Sequence, residues 1–234
     1  MMQTKSACSL AATLLLASAP TWAAAPSDLY VNLTLSASQQ SLGDDQKVSP
    51  RQAALLSGAS DDNASAAAIS LGKKLGDNYR AEIEYSLPRS AEFTSYWTPF
   101  NANANVFQLS SQRLMLNGYK DFALNSQWSA NLMAGLGVAS VSAKGWQRIP
   151  GRSLNENTQT TLAFSLGAGA EYAIAPDWKL GFGYRYTRLG SVESGVNSYS
   201  TAAYNSSTGV GVQDEMMRGT LSERNLFLSL RKDF

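Results

Sequence analysis

The sequence predicts an all-β fold: an eight-stranded antiparallel up-and-down transmembrane β-barrel with four long extracellular loops and three short periplasmic turns. Three observations point there. Apolar residues recur at every second position along most of the chain. The connections between those stretches alternate long and short. The residues opposite the apolar stripe are mostly Gly, Ala and Ser, with charges interspersed.

The first residues set the compartment. Met1 to Ser9 carry one charge, Lys5, and the apolar run "LAATLLLASA" (10–19) follows. Thr21 and Ala23 are small residues where a signal peptidase reads, so residues 1–23 are expected to be a cleaved secretory signal and 24–234 the barrel. The apolar run is too short to span a bilayer as a helix. Cys8 precedes the run, unlike a lipoprotein cysteine, which would end it. The 234-residue chain has no histidine, and Cys8 is its one cysteine. Loss of Lys5 leaves 18 basic residues against 18 acidic ones, so nothing suggests a nucleic-acid partner. A secreted domain without disulfides needs a sizeable core or a closed hydrogen-bonded wall.

Eight alternating segments follow, near 28–37, 65–75, 79–87, 106–122, 128–141, 159–173, 178–189 and 223–234. In the first, Leu29, Val31, Leu33 and Leu35 share one face. In the third, Tyr79, Ala81, Ile83, Tyr85 and Leu87 oppose Arg80, Glu82, Glu84 and Ser86. In the seventh, Trp178, Leu180, Phe182, Tyr184 and Tyr186 oppose Lys179, Gly181, Gly183 and Arg185. A strand gathers such a set on one face, whereas a helix scatters it. The fourth segment changes parity between Leu109 and Leu114, which predicts a bulge there.

The short connections "LGDN" (75–78), "ALNSQ" (123–127) and "IAPD" (174–177) have the composition of tight turns. The long ones are expected at about 38–64, 88–105, 142–158 and 190–222. Small residues such as Gly135, Gly137, Gly167 and Gly183 suit the cramped interior of an eight-stranded barrel better than a solvated surface. The apolar set therefore faces lipid. The charges Arg80, Glu82, Glu84, Glu171, Lys179, Arg185 and Arg231 are expected to fill the lumen as an ion lattice, with Arg185 coupled to Glu82 and Glu171 near Lys179. Tyr79, Trp128, Trp178 and Phe234 recur at the short-turn end, as an interface girdle would. In "NLFLSLRKDF" (225–234), Leu226, Leu228, Leu230 and Phe234 share the lipid face, so the final strand is expected to close on the first.

With "LMLNGYKDF" (114–122), "LGAGAEYAIAPDWKLGFGYRY" (166–186) and the terminal "LFLSLRKDF", the chain resembles the small eight-stranded outer-membrane barrels of Gram-negative bacteria. These include the opacity and attachment-invasion types and the transmembrane domain of outer membrane protein A. The resemblance implies an outer-membrane location, lipid and lipopolysaccharide as neighbours, and a monomer. It also implies that Leu226, Leu228, Leu230 and Phe234 are read by the barrel assembly machinery. Lys232 departs from that pattern, and snorkelling accommodates it.

Enzymatic barrels of the kinds that rely on histidine are excluded by composition. "LGAGAEY" lacks a third glycine and lies in a strand, so it is no dinucleotide loop. No cofactor and no metal are implied. Trp97, Phe100, Trp146, Tyr199 and Tyr204 stand on the long connections as contact candidates, the tryptophans doubling as girdle residues. The expected role is a non-enzymatic structural or surface-interaction protein that meets a host or bacterial ligand through its loops. The alternative is a narrow porin gated by lumen charges.

Overall fold

Alternation resolves into one antiparallel sheet in the computed structural model, which describes residues 28–43, 55–97, 104–147, 151–198, 213 and 215–234. The strands are β1 (Leu29–Gly43), β2 (Leu55–Ser57), β3 (Asp61–Gly76), β4 (Tyr79–Trp97), β5 (Ala104–Ala123), β6 (Trp128–Gln147), β7 (Ser153–Ala175), β8 (Trp178–Glu193) and β9 (Arg218–Asp233). The eight long strands form a ring in which each pairs with its neighbours in sequence. β9 closes on β1, from Tyr30↔Asp233 to Gly43↔Thr220. Among the described residues the three-residue β2 pairs with the far end of β4 alone, from Leu55↔Trp97 to Ser57↔Ser95. A closed ring leaves no unpaired edge to face lipid.

The three short turns lie at one end, the periplasmic end by the general rule for such barrels. Between β3 and β4, Asp77 and Asn78 have φ of 49° and 64°. Two consecutive positive φ values make the hairpin turn whose twist matches the strands, and Asp and Asn tolerate it. Between β5 and β6, Asn125 Oδ1 accepts from the amides of Gln127 and Trp128 at 2.9 and 2.8 Å. Pro176 and Asp177 join β7 to β8.

The long connections are shorter than the sequence predicts. β4 runs to Trp97 and β5 starts at Ala104; β6 runs to Gln147 and β7 starts at Ser153; β8 runs to Glu193 and β9 starts at Arg218. Strands of 15 to 23 residues exceed the roughly 9–11 needed to cross a bilayer. The surplus stands beyond the lipid, where the outward residues are polar, as at Ser90, Glu92, Gln112, Ser140 and Thr158. Water outside and grease inside invert the alternation, so these stretches do not read as lipid-facing wall.

Inversion also explains the parity change in β5. Its pairing with β6 is continuous from Asn105↔Gln147 to Ala123↔Ser129, so no bulge interrupts it. Phe107 and Leu109 point inward beside Met115, while Leu114 and Leu116 point to lipid. The bulge lies in β4 instead, where Ser86 faces Arg113 and Arg89 faces Ser111. Pro88 sits inside it, in a place where a strand tolerates a residue without an amide hydrogen. The extra residue moves the inward set from Arg80, Glu82, Glu84 and Ser86 to Arg89, Ala91, Phe93 and Ser95.

Candidate functional site

The lumen holds the chemistry of the molecule, and alternation puts it there. Nearest the short turns, Arg80 is buried among three carboxylates: Glu171 at 2.9 Å, Asp121 at 2.9 Å and Glu82 at 3.3 Å. Glu171 also meets Arg231 at 3.2 Å, and Arg231 meets Asp233 at 3.2 Å. Tyr119 donates to Glu82 Oε2 at 3.0 Å, and its ring lies 4.2 Å from the Arg80 guanidinium. Tyr30 lies within 5.8 Å of Arg80 and 5.0 Å of Arg231. A Cβ at Gly72 would collide with the Tyr30 ring, so only glycine lets that ring lie across the wall.

One layer up, Arg185 Nη1 donates to both oxygens of Glu84 at 2.6 and 2.7 Å. The expected Arg185–Glu82 pair is therefore corrected to Arg185–Glu84. Glu82, two residues nearer the turn, is engaged by Arg80 and Tyr119. Glu171 and Lys179 are diagonal neighbours across the β7–β8 pair, as expected, but they do not meet in an ion pair. Glu171 lies opposite Gly181 and Lys179 opposite Ala173, and Glu171 turns to Arg80 and Arg231. Lys179 forms no direct ion pair among the described residues.

A further layer was not anticipated. Glu223 accepts from both Arg89 and Arg113, and Ser38 Oγ donates to its other oxygen at 2.6 Å. Arg113 and Glu223 share the inward parity of their strands, which is the signal that could have found them. Arg89 follows the Pro88 bulge, and its parity is legible only once the bulge is placed.

Above these charges the lumen turns apolar. Phe93, Phe107, Leu109, Leu189, Met217 and Leu221 are each at most 1% exposed and belong to one buried cluster. Between layers, large side chains face glycines: Asn117 fills the space at Gly135, and the Phe227 ring lies against Gly169 and Gly183. The inside is thus packed along its length, with ions toward the periplasm and hydrocarbon toward the surface. Among the described residues no set of carboxylate or other ligand side chains is arranged to hold a metal.

Closed antiparallel ring, lipid-facing apolar band and small-residue lumen together have a counterpart among known proteins. The family described as outer membrane protein beta-barrel domain matches residues 9–213. The chain belongs to that family. Outer membrane protein PagN of Salmonella typhimurium is 28% identical over 116 residues, 47% of this chain and 48% of that protein. The chain thus spans about half the length of the curated relative it matches. Neisserial surface protein A superposes with a TM-score of 0.53 at 18% identity, covering 90% of this chain and 100% of that one. OprG of Pseudomonas aeruginosa gives 0.58 at 12% identity, covering 89% and 98%. The protein is an eight-stranded barrel of the Gram-negative outer membrane.

Membership gives the aromatic residues at the short-turn end a setting. Tyr79 and Phe234 are exposed on the outer face, at 52% and 56%. Trp128 packs on Tyr172 with ring centroids 4.9 Å apart. Lys232 reaches the Trp178 ring at 5.2 Å and pairs with Asp177, which explains how a cation is housed between lipid-facing leucines and the terminus. Leu226 and Leu228 are exposed to lipid, Leu230 is half-buried beside them, and the Phe234 amide donates to Leu29 O at 3.1 Å.

Of the contact candidates, Trp97 is the last residue of β4, and Trp146 lies half-buried in β6, so both belong to the wall rather than to loops. Phe100, Tyr199, Tyr204 and the signal segment 1–23 lie outside the described residues.

Proposed function

We propose that this outer-membrane barrel is a non-enzymatic surface-interaction protein of adhesive character whose contacts are made by its extracellular end. The observation that carries this reading is the packed lumen. Three ion layers lie under an apolar plug, and a buried charge pair is a costly way to line a conduit. The wall supports the same reading, because its surplus length raises a rigid platform above the lipid. Rigid scaffolds that carry solvent-facing connections are where binding residues concentrate. Glu82, Glu84, Glu171 and Glu223 each meet an arginine, so none of these four is poised as a free acid or base. Lipopolysaccharide surrounds the barrel, the assembly machinery reads its last strand, and the protein acts as a monomer.

The test is attachment. A non-adherent Gram-negative strain displaying the protein is expected to bind host-cell layers more than the same strain without it. Replacing residues 199–212 by a short Gly-Asn turn is expected to abolish the gain while leaving a folded barrel. Equal attachment with and without the protein contradicts the reading.

A further inference from the structure

The outer face of β3, β1, β9 and β8 bears a feature the lumen does not use. Cross-strand pairing sets outward side chains in rows. One row reads Ser65, Ala37, Leu226 and Tyr184; the next, farther from the short turns, reads Asn63, Gln39, Arg224 and Tyr186. Small Ala37 and Ser65 beside projecting Leu226 and Tyr184 leave a trough of ≈ 870 Å³, continuous with a more polar recess of ≈ 500 Å³ that Gln39, Asn63 and Arg224 line. The end of the trough nearer the short turns is oily, walled by Leu35 at 64% and Leu228 at 61% exposure.

Arg224 stands at the upper rim of this trough. Arg188 lies opposite Ser222, which places it diagonally from Arg224 across the β8–β9 pair. Both are exposed, and neither forms an ion pair among the described residues. Arg218, by contrast, is held by Glu193 at 2.8 Å. The carboxylate in Arg188's own row, Asp61, accepts from Ser41 and lies three strands away. Two free guanidinium groups directly above an apolar trough, at the edge of a lipid-facing band, match an acyl chain joined to a phosphate. A second copy of the chain fits poorly, because a twofold contact here would bring these arginines toward their own duplicates.

We propose that this sector binds a phosphorylated, acylated glycolipid of the outer leaflet, with one acyl chain in the trough and a phosphate on Arg224 and Arg188. The site is outside the barrel and does not depend on the adhesive reading, since cell attachment plays no part in its readout.

Native mass spectrometry of the full folded protein in detergent tests it, with bisphosphorylated lipid A, the same lipid stripped of phosphate, and phosphatidylglycerol as probes. The parent protein is expected to retain one bisphosphorylated molecule. The phosphate-free lipid and the Arg188→Ser/Arg224→Ser variant are each expected to reduce affinity roughly ten- to thirtyfold, the scale of two surface cations acting on an anionic lipid. Ala37→Trp, which fills the trough, is expected to weaken binding while both arginines remain. Equal retention of the phosphate-free lipid by the parent overturns the proposal, and this arm needs no variant to fold. Equally tight phosphatidylglycerol overturns the glycolipid assignment, and a doubled particle mass overturns it in favour of a second copy.

Discussion

Arg185 shows how much a single residue carries. Its guanidinium is buried against Glu84, and its Cζ lies 5.6 Å from the Phe227 ring. Truncation leaves the Glu84 charge buried with less compensation, a change that typically costs about 3–5 kcal/mol. Arg185→Ala is therefore expected to lower the unfolding midpoint in detergent, read by loss of cold-gel mobility on heating. Glu84→Gln is expected to restore part of the loss, and Glu82→Gln less, because Glu82 answers to Arg80 and Tyr119. Equal rescue by both changes would contradict the layering. Phe93→Ala probes the plug, and removing a fully buried aromatic is expected to cost about 3–5 kcal/mol in the same assay. Alternation placed Arg80, Glu82, Glu84, Glu171, Arg185 and Arg231 on the inner face, but it did not assign partners. Partners depend on the register between strands distant in sequence, as with Glu84 and Arg185.

At the scale of elements, the β4 bulge divides the molecule. Below it the inner face is ionic; above it the inward set includes Ala91 and Phe93. Deleting Pro88 removes the extra residue, so Leu87 alone faces Gln112 and plain alternation keeps Arg89, Ala91 and Phe93 inward. The deletion is expected to leave assembled barrel, measured as the heat-modifiable band in outer-membrane fractions. Loss of that band would show that the bulge itself is required, and not only the register it sets. An end-of-strand test is deletion of Phe234, expected to deplete surface protein and leave chain in the periplasm. The lipid-crossing parts of the strands were legible because one side meets hydrocarbon and the other a cramped polar space. The upper halves were not, because there water lies outside and the plug inside. Phe107 and Leu109 read as a broken register when they were an inverted one. The same blindness concealed Met217, which a contiguous polar stretch before β9 made look like loop.

Across the whole molecule, ring closure between β9 and β1 and continuous lumen packing make one cooperative body. Its two ends differ in kind, short turns and girdle below, a raised wall and apolar plug above. A lumen filled in series has a consequence that single changes in the lower layers do not alter. Arg185→Ala opens space among ions while the plug above remains, so it is expected to pass no more current than the parent. The most direct measurement is conductance of the purified, folded protein in planar bilayers. A closed lumen predicts a flat trace for both the parent and Arg185→Ala across the usual range of voltages. Reproducible unit currents from the parent would contradict it and make the barrel a narrow porin.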